Sequence, residues 1–460
     1  MPSLLIATYD LGRQSFGLAS GAAALAAAGV EAICADLSRD PLPESVVREA
    51  DLIAFFLPMH TATRLAIPVI DRVRAMNPRA TLCAYGLYAP LNAALLRERG
   101  ITEIIGGEFE DDLAALGRDH VSTSGTSSTS STSSTLHVAR RTSHVVPRVR
   151  FLVPVRNSLP PLARYASLQW GSERRVVGYT EASRGCKHRC RHCPIVPVYD
   201  GRFRIVPREI VVEDIRRQVA AGAQHITFGD PDFFNGPRHA VAIVRELASE
   251  FPGLSYDVTI KVEHLLAHAG LLRELAATGC AFLTSAVESI DDRVLAKLDK
   301  GHTAADFEAA VALCRGAGLT LSPTFVPFTP WTTLEGYCAL LQTIDRLDLI
   351  DQVAPIQLAI RLLIPEGSQL LELEDVRASV RPFDPHSLTY RWAHEVEAVD
   401  LLQSEVGTIV GKRLNAPRRD VFGEIWSAAH RAAELDAVLR EDRELVPRAA
   451  VPYLNEPWYC

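Results

Sequence analysis

The sequence has few cysteines, no long apolar run and no excess of basic residues. No apolar stretch reaches the ~18–20 residues needed to span a bilayer, which excludes a membrane-spanning protein. The sequence contains 48 Lys and Arg and 55 Asp and Glu, which gives a net charge of -7. No overall positive charge therefore attracts nucleic acid or an anionic membrane. The start Met1–Ile6 lacks a positively charged region, so we expect no secretion signal.

Nine cysteines in 460 residues are too few for a disulfide scaffold. Three of them fall between Cys186 and Cys193, and the others are scattered. This distribution favours a reducing cytoplasm and one local metal or cluster site. The length predicts roughly two or three domains, and 48% hydrophobic residues are ordinary for a soluble globular protein.

Residues 1–118 alternate between strand and helix patterns. The predicted strands are Leu4–Tyr9, Glu31–Leu37, Asp51–Leu57, Thr81–Leu87 and Ile101–Ile105. Such alternation predicts a parallel sheet with helices on both faces. Five strands in this length favour a flavodoxin-like doubly wound α/β domain, which binds ligands at the carboxyl ends of its strands.

A change in composition follows this domain. Ser122 to Thr135 consists almost entirely of Ser and Thr with one Gly, which cannot form a core. We therefore predict a flexible linker over residues 119–145. An O-glycosylated stalk is the alternative, but the cysteine distribution disfavours it.

A second strand–helix alternation occupies residues 146–365. Its predicted strands are Val176–Thr180, His225–Phe228, Ser255–Ile260, Ala281–Ala286, Thr320–Val326 and Val353–Ile360. Six such units predict a partial (βα)6 barrel, because a full eight-unit barrel needs about 250 residues. Residues 366–460 read as a mainly helical C-terminal extension.

The strongest motif is Cys186-x3-Cys190-x2-Cys193, directly after the first barrel strand. Three thiolates in one loop suit three irons of a [4Fe–4S] cluster, the fourth iron being open to a small ligand. The alternative is a zinc site, with His188 or His192 as fourth ligand.

This motif and its lead-in Thr180–Gly185 resemble the cobalamin-associated branch of the radical SAM superfamily. The resemblance implies that the cluster reduces S-adenosylmethionine (SAM) and releases a 5′-deoxyadenosyl radical. An aromatic residue usually precedes the third cysteine in that family and packs near the adenine, and this chain has His192 there.

The same resemblance implies two further SAM contacts. Gly229 and Asp230 end the second barrel strand, where the family has a turn that receives the methionyl ammonium. Glu288 ends the fourth strand, where polar residues contact the SAM ribose or carboxylate. Each position has a plain structural alternative, an ordinary turn for the first and a helix cap for Glu288. Weaker candidates are Lys261, Glu263, Arg361 and Glu366.

The first domain resembles the cobalamin-binding domain that often precedes a radical SAM core. Asp10 and Gly12 lie in its first strand-to-helix loop, and Gly107 lies in a Gly/Glu-rich turn after the last strand. The Asp-x-His-x-x-Gly motif of a lower histidine ligand is absent, so the resemblance implies cobalamin without that ligand. His60 is a candidate to face the corrin, and a domain that has lost cobalamin is the alternative.

The end of the chain, Glu456–Cys460, resembles radical SAM proteins whose tails continue Cys-Cys-Ala-Glu-Pro or Cys-selenocysteine-Ala-Glu-Pro. We therefore expect a gene in which codon 461 is a UGA that encodes selenocysteine. Cys460 would then be half of a Cys–selenocysteine pair that binds a soft metal or acts as a redox couple. The alternative is an incidental terminal cysteine.

Together these features predict a cytoplasmic radical SAM enzyme that receives electrons from a flavodoxin- or ferredoxin-type donor. Its expected reactions are hydrogen abstraction or cobalamin-dependent methyl transfer on a small-molecule or peptide substrate, without membrane or nucleic acid as partner. Aminocarboxypropyl transfer from SAM to a thiol or metalloid is one alternative. A non-enzymatic zinc-binding or electron-transfer module is the other.

Overall fold

A computed structural model describes residues 2–124, 149–414, 416–436, 439 and 451–455. Within these residues, no helix is long and apolar enough to cross a membrane.

The first domain contains a five-stranded parallel sheet in the order β2-β1-β3-β4-β5. Its strands are β1 (Ser3–Ala7), β2 (Ala32–Asp36), β3 (Leu52–Phe56), β4 (Thr81–Tyr85) and β5 (Glu103–Ile105). This is the order of the flavodoxin-like fold, so the predicted fold class of this domain is confirmed.

Helices cover both faces of this sheet. They are α1 (Phe16–Ala27), α2 (Glu44–Glu49), α3 (His60–Met76), α4 (Tyr88–Leu91), α5 (Ala93–Glu98) and α6 (Glu110–Ser124). Alternate residues of β1 serve opposite cores: Leu4 and Ile6 pack in one, Leu5 and Ala7 in the other. Burial on both faces explains why the strands read as continuous apolar runs.

The linker predicted over 119–145 is partly wrong, because α6 continues through its first six residues to Ser124. Three acidic residues at the start of α6, Glu110, Asp111 and Asp112, favour helix formation through the helix dipole. Residues 125–148 lie outside the described part of the chain.

The second sheet has the order β13-β12-β11-β10-β7-β6-β16. Five strands are parallel: β7 (Glu173–Thr180), β10 (His225–Phe228), β11 (Ser255–Thr259), β12 (Cys280–Glu288) and β13 (Leu321–Phe325). Two further strands, β6 (Ser167–Trp170) and β16 (Tyr453–Leu454), extend the sheet beyond β7 through antiparallel pairs, β6 with β7 and β16 with β6. The partial barrel is therefore confirmed, with an antiparallel edge that the sequence pattern did not predict.

The predicted sixth strand, Val353–Ile360, is wrong. Pro355–Leu358 forms a 3₁₀ helix instead, and parallel pairing is reduced to one bridge between Phe328 and Arg361. Pro355 cannot donate to a strand ladder. The Gln357 side chain accepts the hydrogen bond of the Phe325 backbone N–H at 3.2 Å, which replaces a strand partner at the end of β13.

Helices and two hairpins complete the fold. The helices are α7 (Val196–Tyr199), α8 (Arg208–Ala220), α9 (Pro237–Glu250), α10 (Val262–Ala267), α11 (Leu272–Ala277), α12 (Asp292–Leu298), α13 (Ala304–Gly316), α14 (Leu334–Arg346), α15 (Glu374–Ser379), α16 (Glu397–Lys412) and α17 (Arg418–Ala432). The hairpin strands are β8 (Ser183–Gly185) with β9 (Phe203–Ile205), and β14 (Val380–Asp384) with β15 (Thr389–Trp392).

Candidate active site

The cysteine loop lies inside the β8–β9 hairpin, at the carboxyl end of β7. Gly185, the last residue before Cys186, has φ 74°, and a Cβ there would lie 2.5 Å from the Arg202 carbonyl oxygen. Only glycine fits this left-handed, close-packed position. The loop is thereby held at a fixed point beside the barrel mouth, with Cys186 and Cys190 buried and Cys193 partly exposed.

The three thiols suit a cluster better than a single ion. Among the described residues, one set of His, Cys, Asp and Glu has the close spacing needed to hold one metal ion, and it does not include these cysteines. Thiolates bound to one zinc lie about 4 Å apart, given Zn–S bonds of about 2.3 Å, whereas the irons of a cluster spread them further. The donor set therefore fits a [4Fe–4S] cluster.

Burial controls the protonation of these thiols. It raises the pKa of Cys186 to about 11 and that of Cys193 to about 12. Thiols with such values are protonated at neutral pH, so iron binding must displace protons.

Lys261 brings positive charge to the loop. Its Nζ is 3.6 Å from the Cys190 sulfur and donates to the Lys300 carbonyl oxygen at 3.0 Å. The side chain is buried and pairs with Glu263 at 2.8 Å. Lys261, a weak candidate in the sequence, is therefore placed where its ammonium would stabilise a thiolate at Cys190.

A second set of contacts ties the loop to the end of β12. The Nε2 of His192 lies 3.1 Å from Glu288 Oε1, and the Lys300 ammonium donates to the same oxygen at 3.3 Å. Burial alone would raise the pKa of Glu288, but Lys300 and His192 lower it to about 2. The structure thus places two predicted site residues in contact, because His192 lies against the ionised carboxylate of Glu288.

Gly229 and Asp230 lie at the end of β10, beside the lead-in to the cysteine loop. A Cβ on Gly229 would lie 1.6 Å from the Tyr179 hydroxyl oxygen, so no larger residue fits there. Asp230 accepts hydrogen bonds from the Ala182 N–H at 2.8 Å and the Ser183 hydroxyl at 2.6 Å. Burial nevertheless raises the pKa of this carboxyl to about 7. Through its two hydrogen bonds, the Asp230 side chain stabilises the turn between β7 and β8.

The first domain's predicted residues lie at the interface with the barrel. Gly12 accepts hydrogen bonds from the Ala166 N–H at 2.8 Å and from Arg39 at 3.2 Å. Burial raises the pKa of Asp10, in the same loop, to about 6. A Cβ on Gly107 would lie 3.0 Å from the hydroxyl oxygen of Tyr199 on α7. The structure does not bring Asp10, Gly12 and Gly107 together at the cysteine loop. Of the three, Gly107 is the residue that packs near this loop, against Tyr199.

Two other candidates have structural partners. The Nε2 of His60 lies 2.6 Å from the Ser387 carbonyl oxygen in the β14–β15 turn. Arg361 donates to Asp400 at 2.6 Å and stacks on Trp392 at 3.6 Å. Five of the remaining cysteines are buried, namely Cys34, Cys83, Cys280, Cys314 and Cys338. Cys460 lies outside the described residues.

Lys300, Asp232 and His264 carry no sequence pattern that predicts a place in this site. Lys300 follows α12 in an Asp-Lys-Gly turn, which looks like any solvated turn. Asp232 and His264 are separated by a strand and a helix and meet only in the folded barrel. Charged residues just beyond the carboxyl ends of the barrel strands were the one signal that pointed to them.

Residues 180–335 match the family model described as the Radical SAM superfamily. A tRNA-2-methylthio-N(6)-dimethylallyladenosine synthase from Chlorobium phaeobacteroides is 26% identical over 191 residues, covering 39% of this chain and 42% of that protein. The ribosomal protein uS12 methylthiotransferase RimO from Syntrophotalea carbinolica is 30% identical over 177 residues, covering 36% and 39%. The chain thus spans about two fifths of these relatives' length.

Two solved structures resemble nearly the whole chain. The cobalamin-dependent S-adenosylmethionine radical enzyme OxsB, with aqua-cobalamin and SAM bound, has a TM-score of 0.69 at 13% identity, covering 94% of this chain and 72% of that one. The radical SAM methyltransferase TsrM from Kitasatospora setae, with cobalamin and a [4Fe–4S] cluster bound, has a TM-score of 0.61 at 16% identity, covering 94% and 100%. At these identities the likeness shows a shared fold.

The matched region begins at the end of β7 and reaches into α14, so it contains the cysteine loop and the ends of the next four parallel strands. The family match implies a [4Fe–4S] cluster and SAM, in agreement with the donor set of the loop. Residues 180–335 therefore form a radical SAM domain that contains this site, and such a domain marks the chain as an enzyme.

Proposed function

We propose that this enzyme is cobalamin-dependent and transfers a methyl group from SAM to an organic substrate. The observation that carries the proposal is the packing of the first domain against the cysteine loop. A Cβ on Gly107, in the turn after β5, would lie 3.0 Å from the hydroxyl oxygen of Tyr199 in the β8–β9 hairpin, and Glu110 of α6 pairs with Arg184, two residues before Cys186. A cofactor at the carboxyl edge of the first sheet would therefore face the cluster.

A glycine at this edge fits a bulky ligand. Gly106 follows β5, and a Cβ there would meet only Pro90 at 3.7 Å. Strand ends without side chains leave room for a ligand to approach the backbone. His60 is engaged with Ser387, which supports cobalamin without a histidine lower ligand.

When bound, the cluster supplies the electron that cleaves SAM, and cobalamin supplies a methyl carrier. Cys186, Cys190 and Cys193 hold the iron, while Lys261 offsets the negative charge at Cys190. Glu288 uses Oε1 for both His192 and Lys300, so Oε2 is left to accept a hydrogen bond from SAM. The backbone of the Gly229 turn receives the methionyl ammonium, as the family resemblance implies. A flavodoxin- or ferredoxin-type protein delivers the electrons.

Product analysis tests this proposal. Anaerobically reconstituted enzyme, supplied with cobalamin and a low-potential reductant, should convert SAM to both 5′-deoxyadenosine and S-adenosylhomocysteine. S-adenosylhomocysteine reports methyl transfer, and it should disappear when cobalamin is omitted. Methylthioadenosine as the main product would instead select aminocarboxypropyl transfer and refute the methyl-transfer proposal.

A further inference from the structure

A second cluster of polar side chains lies beside the cysteine loop. It contains His188 from the loop, Asp232 from the turn after β10 and His264 from α10. One ligand atom from each lies within 4.8 Å of the other two, and no other such set occurs among the described residues. Three segments of the barrel thus converge on one point.

The three ligand atoms of this set, His188 Nε2, Asp232 Oδ2 and His264 Nδ1, have no well-aligned hydrogen bond. Asp232 is fully buried and His264 nearly so, at 0% and 3% exposure. Asp232 Oδ2 lies 2.6 Å from His264 Nδ1 and 3.5 Å from His188 Nε2, yet none of these atoms is oriented to make a hydrogen bond. Buried polar atoms are rarely left unsatisfied, and a cation bound between these three atoms would satisfy them together.

The orientation of Asp232 strengthens this reading. Its Oδ1 accepts the Phe234 backbone N–H at 3.1 Å, which fixes the carboxylate and directs Oδ2 to the two histidines. A buried carboxylate beside two imidazoles is a donor set that first-row divalent metals bind well.

We propose that His188 Nε2, Asp232 Oδ2 and His264 Nδ1 bind one zinc ion. Three protein ligands are the usual complement of a zinc site that keeps its fourth position for water or substrate. The proposal concerns a mononuclear site separate from the cysteine thiolates, and it stands whether or not the enzyme transfers methyl groups.

The neighbours of His188 fit this assignment. Its other ring nitrogen, Nδ1, lies 3.1 Å from Glu263 Oε2. Metal-bound histidines commonly have a carboxylate beside their second ring nitrogen. Glu263 in turn pairs with Lys261 at 2.8 Å, and Lys261 reaches the Cys190 sulfur at 3.6 Å. A metal ion here would therefore be linked to a cluster ligand through a chain of charged side chains.

Metal analysis of the cluster-loaded enzyme tests the proposal. Anaerobic protein is incubated with a small excess of zinc sulfate, passed over a chelating resin and analysed for zinc and iron. We expect about one zinc in addition to about four irons per chain. Zinc X-ray absorption should show nitrogen and oxygen ligands at about 2.0–2.2 Å and no sulfur at about 2.3 Å.

Substitutions locate the ion. Asp232→Asn and His264→Gln should lower bound zinc at least tenfold while the iron content stays at the wild-type level, which shows that the barrel is folded. Glu263→Gln should weaken zinc binding by about 10–100-fold through His188. His268→Gln is the matched control, because its ring lies 5.7 Å from that of His264 but outside the set, and it should retain zinc.

Several results would overturn the proposal. They are less than a tenth of an equivalent of zinc in the wild type, sulfur in the zinc coordination shell, and full zinc retention in Asp232→Asn or His264→Gln. None depends on product analysis, so failure here leaves the proposed function untouched.

Discussion

At the residue scale, each loop cysteine is set apart from the core cysteines by its neighbours. Cys190 faces a buried ammonium from Lys261, whereas Cys338 is buried within the hydrophobic core. A buried thiol without a cation or metal behaves as a small apolar side chain. The same residue type therefore performs two different tasks in this chain.

Replacing Cys186, Cys190 or Cys193 by Ala should each abolish SAM cleavage, because each removes one iron ligand. Iron should fall well below the about four per chain expected for the intact enzyme. Cys338→Ala is the control and should keep its iron and its activity. Any loop variant that retained full iron and activity would refute the ligand assignment.

Asp10 should make stability depend on pH. Burial raises its pKa to about 6 from an ordinary value of 3.8, so the folded state holds a proton that the unfolded state has released. The free energy of unfolding therefore falls as pH rises from about 4 to about 6. The cost at pH 7 is up to about 3 kcal/mol, and less where water reaches this half-buried carboxylate.

Asp10→Asn should remove this cost. Its thermal midpoint should match the wild type near pH 4 and exceed it at pH 7. Asp71→Asn, which changes an exposed carboxylate on α3, serves as control and should show no such pH-dependent gain. Parallel pH profiles for Asp10→Asn and wild type would contradict the prediction.

At the element scale, β8 is locked to the first domain by a buried ion pair. Arg184 on β8 lies 2.5 Å from Glu110 of α6 and 2.8 Å from Glu181. Arg184 also lies over the rings of Phe16, Phe109 and Phe151. This strand therefore sets the cysteine loop, which begins two residues later, against the first domain.

Arg184→Met should destabilise the protein by about 3–5 kcal/mol, because it leaves the carboxylates of Glu110 and Glu181 without a positively charged partner. The double variant Arg184→Met/Glu110→Gln should recover part of that loss. Arg189→Met is the matched control, since Arg189 is exposed and its pair with Asp200 should contribute less than about 1 kcal/mol. Unfolding in urea measures all three, and equal losses for Arg184→Met and Arg189→Met would refute the argument.

At the scale of the whole molecule, the C-terminal region bridges the two sheets. The β14–β15 hairpin contacts α3 through His60 and Ser387, and β16 completes the edge of the barrel sheet beside β6. The two domains thus meet along the carboxyl edge of the first sheet, where cobalamin is proposed to bind.

Protein incubated with hydroxocobalamin should retain it through gel filtration, with a spectrum that lacks a histidine lower ligand. His60→Ala should leave that spectrum unchanged, since His60 is bound to Ser387, although the loss of this contact should lower stability by about 1 kcal/mol. A spectral change in His60→Ala would make His60 a ligand. Failure of cluster-loaded protein to bind cobalamin would reduce the first domain to a structural role.

Features that depend on local spacing could be predicted from the order of residues alone. The Cys186–Cys193 motif and the two runs of alternating strands and helices follow from patterns within a few tens of residues. The alternating runs repeat the periods of the helix and the strand, so they can be recognised without knowledge of distant contacts.

Contacts between side chains that are distant in the sequence depend on the folded barrel and could not be predicted from local patterns. His192 with Glu288 and Lys300, and His188 with Asp232 and His264, come together because parallel strands place their carboxyl ends at one edge. The absence of the predicted sixth strand also depends on a distant contact. The Gln357 side chain accepts the hydrogen bond of the Phe325 backbone N–H, which a strand partner would otherwise accept. A local apolar pattern cannot predict such a replacement, because it depends on which backbone N–H and C=O groups still need a hydrogen-bond partner in the folded barrel.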